Sequence, residues 1–334
     1  MKPGNGSRLD PGVNWIRGET IHMKTAKQGW LFHLLILATL LACSRQKAPV
    51  PTLEGESWRI CHAPDLDSLN GPDPSRQHVV DHGFIRDGEG IWHLWACMRG
   101  TAAGRILYGW RGESLTNPPF MESGIAARAD SSWGEQVVPE EKIQAPFFMK
   151  SDSGYFCFYN SNGLRIMFSD NGRDFRRIPF KKGSNLLFEK SGRDVMIMED
   201  EGLCYAYSTI STVTRDGWTS GFIVVRTSTD LKTWSDYTVV SSGGIAGNGP
   251  VSAESPYVLK RNGIYYLFRS SSITGKCYVY ASDTPYHFGI NDDSKLVTIL
   301  PLKAPELLHQ DEGWLISDLA DFRGIKLHRL VWVK

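Results

Sequence analysis

Outside one N-terminal hydrophobic segment, no stretch of the 334-residue sequence sustains apolar residues at 3.6-residue spacing. A bundle of amphipathic helices is therefore excluded. Charge of one sign is missing too: 37 basic and 36 acidic residues nearly cancel, leaving +1, and no basic stripe stands out. Nucleic acid is not an expected partner. Cysteine is scarce. Of six, Cys43 belongs to the N-terminal segment, and Cys61, Cys97, Cys157, Cys204 and Cys277 remain. Their odd number excludes a complete disulfide framework, and no pair has metal-site spacing. Cys157, Cys204 and Cys277 fall within predicted strands, where a thiol acts as a small apolar residue, so packing is favoured over reactivity. What the chain does have is 33 Gly, 17 Pro and 41% hydrophobic residues, which suit one globular β-domain with many turns.

The single long apolar run, Trp30 to Ala42, follows the positive start Met23-Lys24-Thr25-Ala26-Lys27. It reads as a signal-peptide core, too short for a comfortable membrane span. It ends Leu40-Leu41-Ala42-Cys43, which resembles the bacterial lipobox. The resemblance implies cleavage before Cys43 and lipidation of its sulfur. The alternative is an uncleaved membrane anchor. Residues 1–22 have no role in such a signal and read as an over-extended start; 23–42 are the signal peptide, and 43–57 the lipidated cysteine and its tether. Residues 58–334 form the folded domain. An envelope location follows, periplasmic or cell-surface, with the membrane reached through the lipid.

Five times after that tether a hydrophobic run meets a turn ending in Gly and then an aromatic-rich run. The turn glycines are Gly90, Gly154, Gly202, Gly263 and Gly313. The runs after them include Trp92-His93-Leu94-Trp95, Tyr155-Phe156-Cys157-Phe158-Tyr159 and Tyr265-Tyr266-Leu267-Phe268. Each unit is a strand–turn–strand followed by a third strand, as in Arg105–Gly109 or Cys277–Ser282. Hairpin units at intervals of 48–64 residues are the signature of propeller blades. The expected fold is all-β, a five-bladed β-propeller. A β-sandwich, the alternative, has no reason to repeat turn and aromatic positions together.

Counting back eight or nine residues from the turn glycines reaches Asp81, Asp194 and Glu254 in units one, three and four. Units two and five have Ala145-Pro146 and Ala304-Pro305 there. If these openings ring one end of the channel, three carboxylates converge on one pocket. Converging acids repel when ionised, so the arrangement calls for a reason. Glycosidic cleavage supplies one, since it needs a proton donor and a second carboxylate across the sugar ring. A third, permanently ionised acid would help hold the donor's pKa up.

Asp81 opening unit one, Arg193-Asp194 opening unit three and Glu254-Ser255-Pro256 opening unit four resemble the triad of the five-bladed propeller glycoside hydrolases. These are families 43 and 62, with the fructan-active families 32 and 68. The resemblance spans about residues 58–334. Val80-Asp81-His82-Gly83 departs from the unit-one motifs of both groups, so it points to the superfamily and to an unclassified branch of it. It implies Glu254 as general acid, Asp81 as base or nucleophile, and Asp194 as the residue that tunes pKa and holds substrate hydroxyls.

Residues placed to grip a sugar are His82 and Gln144 beside the openings, Arg99 and Arg269 after second strands, and Arg193, for which a fork orienting Asp194 is the alternative. Trp92, Trp95 and Trp133 could stack on a sugar face, though blade packing also explains them. His309 resembles, in its position, a channel histidine that helps hold a central ion in some members. No cofactor and no metal ligand is assigned, and a structural central ion is left open. The expected activity is O-glycosyl hydrolysis of plant or algal oligo- and polysaccharides by a monomer. The alternative is a propeller that binds carbohydrate without cleaving it.

Overall fold

The computed structural model describes residues 48–180, 183–188, 192–213 and 219–334; the segments read as an over-extended start and a signal peptide, and Cys43, lie outside them. Among the described residues there is no α-helix, and the strands form five antiparallel sheets. The fold is a five-bladed β-propeller. Blade one runs outward from the axis as His78–Arg86, Trp92–Thr101, Gly104–Gly112 and Met121–Ala127, with the short strand Glu141–Lys142 parallel to the third. Blade two is Gln144–Ser151, Gly154–Asn160 and Leu164–Ser169, flanked by Arg176–Arg177 and Leu186–Phe188. Blade three is Arg193–Asp200, Leu203–Val213, Thr219–Ser228 and Thr238–Ser242. Blade four is Glu254–Arg261, Ile264–Ser271, Lys276–Ser282 and Leu296–Leu300.

Blade five is made from both ends of the domain. Its inner strands are Leu307–Gln310, Gly313–Asp318 and Gly324–Val333, and its outer strand is the first of the domain, Val50–His62. The pairing runs from Val50 opposite Val333 to His62 opposite Gly324. The last strand is therefore the third of the blade, and the first strand of the domain closes it. The domain begins at Val50, inside the segment read as tether, rather than at residue 58. Its polar character misled the reading. Glu54, Gly55 and Glu56 are exposed, and charges of this kind are common on an outer strand, where they discourage pairing with other chains.

Why these residues form hairpins is local. All five turn glycines have positive φ, from 76° at Gly202 to 133° at Gly154, a region open to glycine without the Cβ penalty. At Glu201-Gly202 and Asn262-Gly263 both central residues are left-handed, as tight hairpin turns require. Aromatic side chains alternate along the strands and fill the space between blades. Trp95 of blade one meets Phe148 of blade two edge-on, with ring centroids 5.3 Å apart, and Tyr266 of blade four meets Trp332 of blade five at 4.6 Å. Trp92 and Trp95 are buried in this core, so packing explains them. Cys61, Cys97, Cys157, Cys204 and Cys277 are buried free thiols in the same packing role.

Candidate active site

At or near the start of each innermost strand a non-glycine residue takes the left-handed region: Asp81 (φ 39°), Ala145 (52°), Asp194 (55°), Ser255 (45°) and Ala304 (46°). In blades one to four a register shift accompanies that residue, so the kink is a bulge repeated around the axis. Such backbone costs on the order of 1–3 kcal/mol per residue and is held where the surroundings over-determine it. Here it re-aims the chain at the mouth of the channel.

The bulges sort the pocket into two tiers. The lower tier is the left-handed ring itself and holds Asp81 and Asp194. The upper tier is the residue before each: Val80, Gln144, Arg193, Glu254 and Lys303, all lining one pocket of about 700 Å³. Glu254 thus pairs with Ser270 as Arg193 pairs with Thr209, one step above the two aspartates. Counting from the glycines put the three acids at one level, because the left-handed residue lies nine before the glycine in blades one, two and five but eight before it in blades three and four, so that nine in blade four reaches Glu254. Asp81, Asp194 and Glu254 nevertheless line the same pocket.

Arg193 ties the tiers together. One Nη donates to Ser211 Oγ at 2.8 Å, the other to Glu254 Oε1 at 2.9 Å and to the Pro250 carbonyl at 3.0 Å. Its Nε lies 3.6 Å from Asp194 Oδ2. Arg193 is therefore the orienting fork, extended to Glu254 as well as Asp194. Ser272 Oγ donates to Glu254 Oε2 at 2.5 Å, and a hydroxyl can equally turn to accept if that oxygen carries a proton. Asp194 is placed through its backbone N–H, which donates to Asn160 at 2.9 Å. Asp81 differs: among the described residues its carboxylate accepts no hydrogen bond, and it faces the open pocket.

Burial, then the Glu254 charge, pushes the Asp81 carboxyl above the usual range, against the pull of Arg105, Arg99 and Arg193. Burial, then the Asp81 charge, pushes Asp194 up to about 7. Two aspartates facing one cavity share this cost, since ionising one disfavours ionising the other. Burial and the Asp81 charge thus work against the ionised form expected of Asp194.

The other expected contacts divide. Gln144 and Arg99 line the pocket; Arg105 donates to Gln144 Oε1, and Arg99 bonds His78 Nδ1 at 2.9 Å. Arg269 does not reach the pocket. It is fully buried between strands, donating to Ser241 Oγ at 2.8 Å and to the Gly243 carbonyl at 2.6 Å. His82 sits deeper, in a narrow axial cavity of about 20 Å³, with Nε2 2.7 Å from Ser317 Oγ. Burial pushes its imidazole down to about 3, so it stays neutral. Trp133 is absent from the pocket lining. His309 is exposed and packs on Trp314 at 4.6 Å, outside the axial cavity, and no group of three or more metal-ligating residues occurs among the described residues. The residues present do not fit a central ion held by His309. Ser272, Arg105, Lys142 and Phe322 line the pocket and were not foreseen. The run Ser270-Ser271-Ser272 at the end of a second strand was the available signal for the first.

Glu306 lines the axial cavity beneath the aspartates, and burial raises its carboxyl well above the ordinary value. An acid whose folded pKa is raised stabilises the fold fully below its unfolded pKa of about 4.3, and that contribution is lost as pH rises towards the folded value. Glu306→Gln should therefore leave the melting temperature nearly unchanged at pH 4 and raise it at pH 8, by about 2–4 °C per kcal/mol released. Thermal melts at the two pH values check this; an equal shift at both would remove ionisation as the cause.

No protein-family model matches the chain, and no curated protein matches it in sequence. Solved structures do match. A thermostable family-43 glycoside hydrolase superposes with a TM-score of 0.59 at 16% identity, over 79% of this chain and 91% of that one. A family 117 glycoside hydrolase from the marine bacterium Zobellia galactanivorans gives 0.57 at 10% identity, over 85% and 90%. An endo-arabinase from Bacteroides thetaiotaomicron gives 0.54 at 14% identity, over 80% and 96%. What they share with this chain is the fold. At such identities the chemistry has to be argued from the site.

Proposed function

We propose that the chain is a glycoside hydrolase acting on oligo- or polysaccharide outside the cytoplasm. The observation that carries this reading is the convergence of Asp81, Asp194 and Glu254 on one pocket at the propeller axis. The residues divide the labour by environment. Asp81, free of hydrogen bonds and facing the cavity, is the carboxylate that activates water or attacks the sugar. Glu254, one tier above, is the proton donor to the leaving oxygen, with the Ser272 hydroxyl able to accommodate the proton on Oε2. Asp194 holds substrate hydroxyls and couples electrostatically to Asp81. Arg193 keeps Glu254 and Asp194 in register. The fold neighbours include a family-43 xylosidase/arabinofuranosidase in complex with xylotriose, which supports carbohydrate as the substrate class.

The test is a panel of aryl glycosides (arabinofuranoside, xyloside, fructoside, galactoside and uronides) with the unaltered chain beside Asp81→Asn. Turnover of at least one glycoside is expected, reduced by about 10²-fold or more in the variant. Binding of oligosaccharides without turnover of any aryl glycoside would favour the non-catalytic alternative.

We further propose that the chain is a lipoprotein of the cell envelope, on the strength of Leu40-Leu41-Ala42-Cys43. A clickable fatty acid fed to expressing cells should label it, and Cys43→Ala should abolish the label and release soluble chain. A label that survives the substitution places the anchor elsewhere.

A further inference from the structure

Beside the three acids, one side of the pocket is lined by cations. Arg99 lies near the end of the second strand of blade one, Arg105 near the start of the third, and Lys142 beside Arg105 in the short parallel strand; all three line the pocket. Arg105 and Lys142 are direct backbone partners, so two like charges are held side by side, which is destabilising unless an anion comes between them. Among the described residues no carboxylate lies within ion-pair distance of Arg99, Arg105 or Lys142, although eight other arginines and lysines have one.

Each of the two guanidiniums makes one hydrogen bond, Arg99 to His78 and Arg105 to Gln144, and the Lys142 ammonium makes none among the described residues. A guanidinium carries five N–H donors, so most of this wall's donors have no protein acceptor. Lys303, on the neighbouring blade, is different: its ammonium donates to the Ala320 carbonyl at 3.1 Å and sits 4.5 Å from the Phe322 ring centroid. Electrostatic support for Asp81 draws on Arg99, Arg105 and Arg193, but not on Lys142. Arg99 and Arg105 also line an adjoining cleft of about 520 Å³ together with Arg76 and His78. That cleft is mixed in charge, since Asp73 and Glu140 line it as well.

We propose that the glycan bound here carries a negative group, the carboxylate of a uronic acid or a sulfate ester, held against Arg99, Arg105 and Lys142. This rests on reading the pocket as a sugar site and adds the class of sugar. Guanidinium forks match two oxygens of either anion, and the ammonium adds a point charge beside them. A neutral sugar, whose hydroxyls both donate and accept, has no use for three cations that only donate.

Calorimetric titration of the full chain carrying Asp81→Asn, to block turnover, tests this with three probes: trigalacturonate, a sulfated carrageenan tetrasaccharide and neutral xylotriose. At least one charged probe should bind about tenfold more tightly than xylotriose, and its affinity should fall as salt rises. Preference for trigalacturonate assigns the carboxylate, and preference for the carrageenan fragment assigns the sulfate. Adding Lys142→Gln or Arg105→Gln, each checked for an unchanged melting temperature, should weaken the charged probe about tenfold and leave xylotriose unaffected; Arg105→Lys should recover part of the loss. Equal or tighter binding of xylotriose, no binding of either charged probe, or indifference to both Lys142→Gln and Arg105→Gln overturns the proposal. Turnover of neutral aryl glycosides with no charged binding would end it while leaving the hydrolase reading intact. Tight charged binding with no turnover of any aryl glycoside, uronides included, would do the reverse.

Discussion

Glu254→Gln should cut turnover by about 10²–10⁴-fold on a glycoside with a poor leaving group, and far less on one whose leaving group departs without a proton. Glutamine suits the local geometry. Its carbonyl can still accept from Arg193, which donates to Glu254 Oε1 at 2.9 Å, and its amide can donate to Ser272 Oγ. The fold and the binding of sugar should survive, and only the proton is lost. Asp81→Asn should slow both substrates alike, since a base or nucleophile is needed whatever departs. Steady-state rates on a methyl glycoside and a dinitrophenyl glycoside, for both variants, check the contrast. If Glu254→Gln lowers the two rates equally, Glu254 is not the acid.

Glu135→Ala should be the most damaging substitution away from the pocket, lowering stability by about 3–5 kcal/mol, or roughly 6–20 °C in melting temperature. Glu135 is buried, and both its oxygens are filled. Oε1 accepts from Tyr159 Oη and Arg177 Nε, each at 2.6 Å; Oε2 accepts from an Arg177 Nη at 2.7 Å and the Asp130 N–H at 3.0 Å. Removing the carboxylate strands the Arg177 charge and leaves a buried hydroxyl without its acceptor. Adding Arg177→Met to Glu135→Ala should recover much of the loss, because the stranded charge is what dominates it. Denaturant melts of the single and double variants measure this, and a single variant within 2 °C of the parent would show the network to be dispensable. The network has a second reach: Gln136, next in sequence, accepts from the Lys142 N–H at 3.0 Å. The segment that delivers Lys142 and Gln144 to the pocket is therefore braced at Glu135, and partial loss should show in binding before it shows in unfolding.

Blade number was legible because its signals are local. Each turn glycine and the aromatic run after it can be recognised within about ten residues, and all five glycines take positive φ. The acids were legible as residues but not as tiers, since the distance from the turn glycine back to the left-handed residue is nine in three blades and eight in two, which nothing in composition marks. Arg269 shows the same limit from the other side. Arg99 and Arg269 look equivalent as arginines ending second strands. Register separates them: Cys97 pairs with Val80 as Ser270 pairs with Glu254, so Arg99 corresponds to Ser272 and Arg269 to Ala96. One residue of offset turns a side chain to the opposite face of a strand. The position shared by Arg99, Ser211 and Ser272 faces the pocket in three blades, and nothing in any single blade announces it. The outer strand Val50–His62 was missed for a different reason: its partner lies more than 250 residues away, and its exposed charges look like a linker.

That closing strand also sets a direction. Gly324 follows Phe322 at the pocket rim, so Gly324–Val333 runs away from the mouth and ends on the face that carries the hairpin turns. Val50 lies opposite Val333, and the polypeptide therefore enters the propeller from the rear. Val50 and Val333 thus share the rear face, and the acidic cavity opens on the opposite one, clear of both.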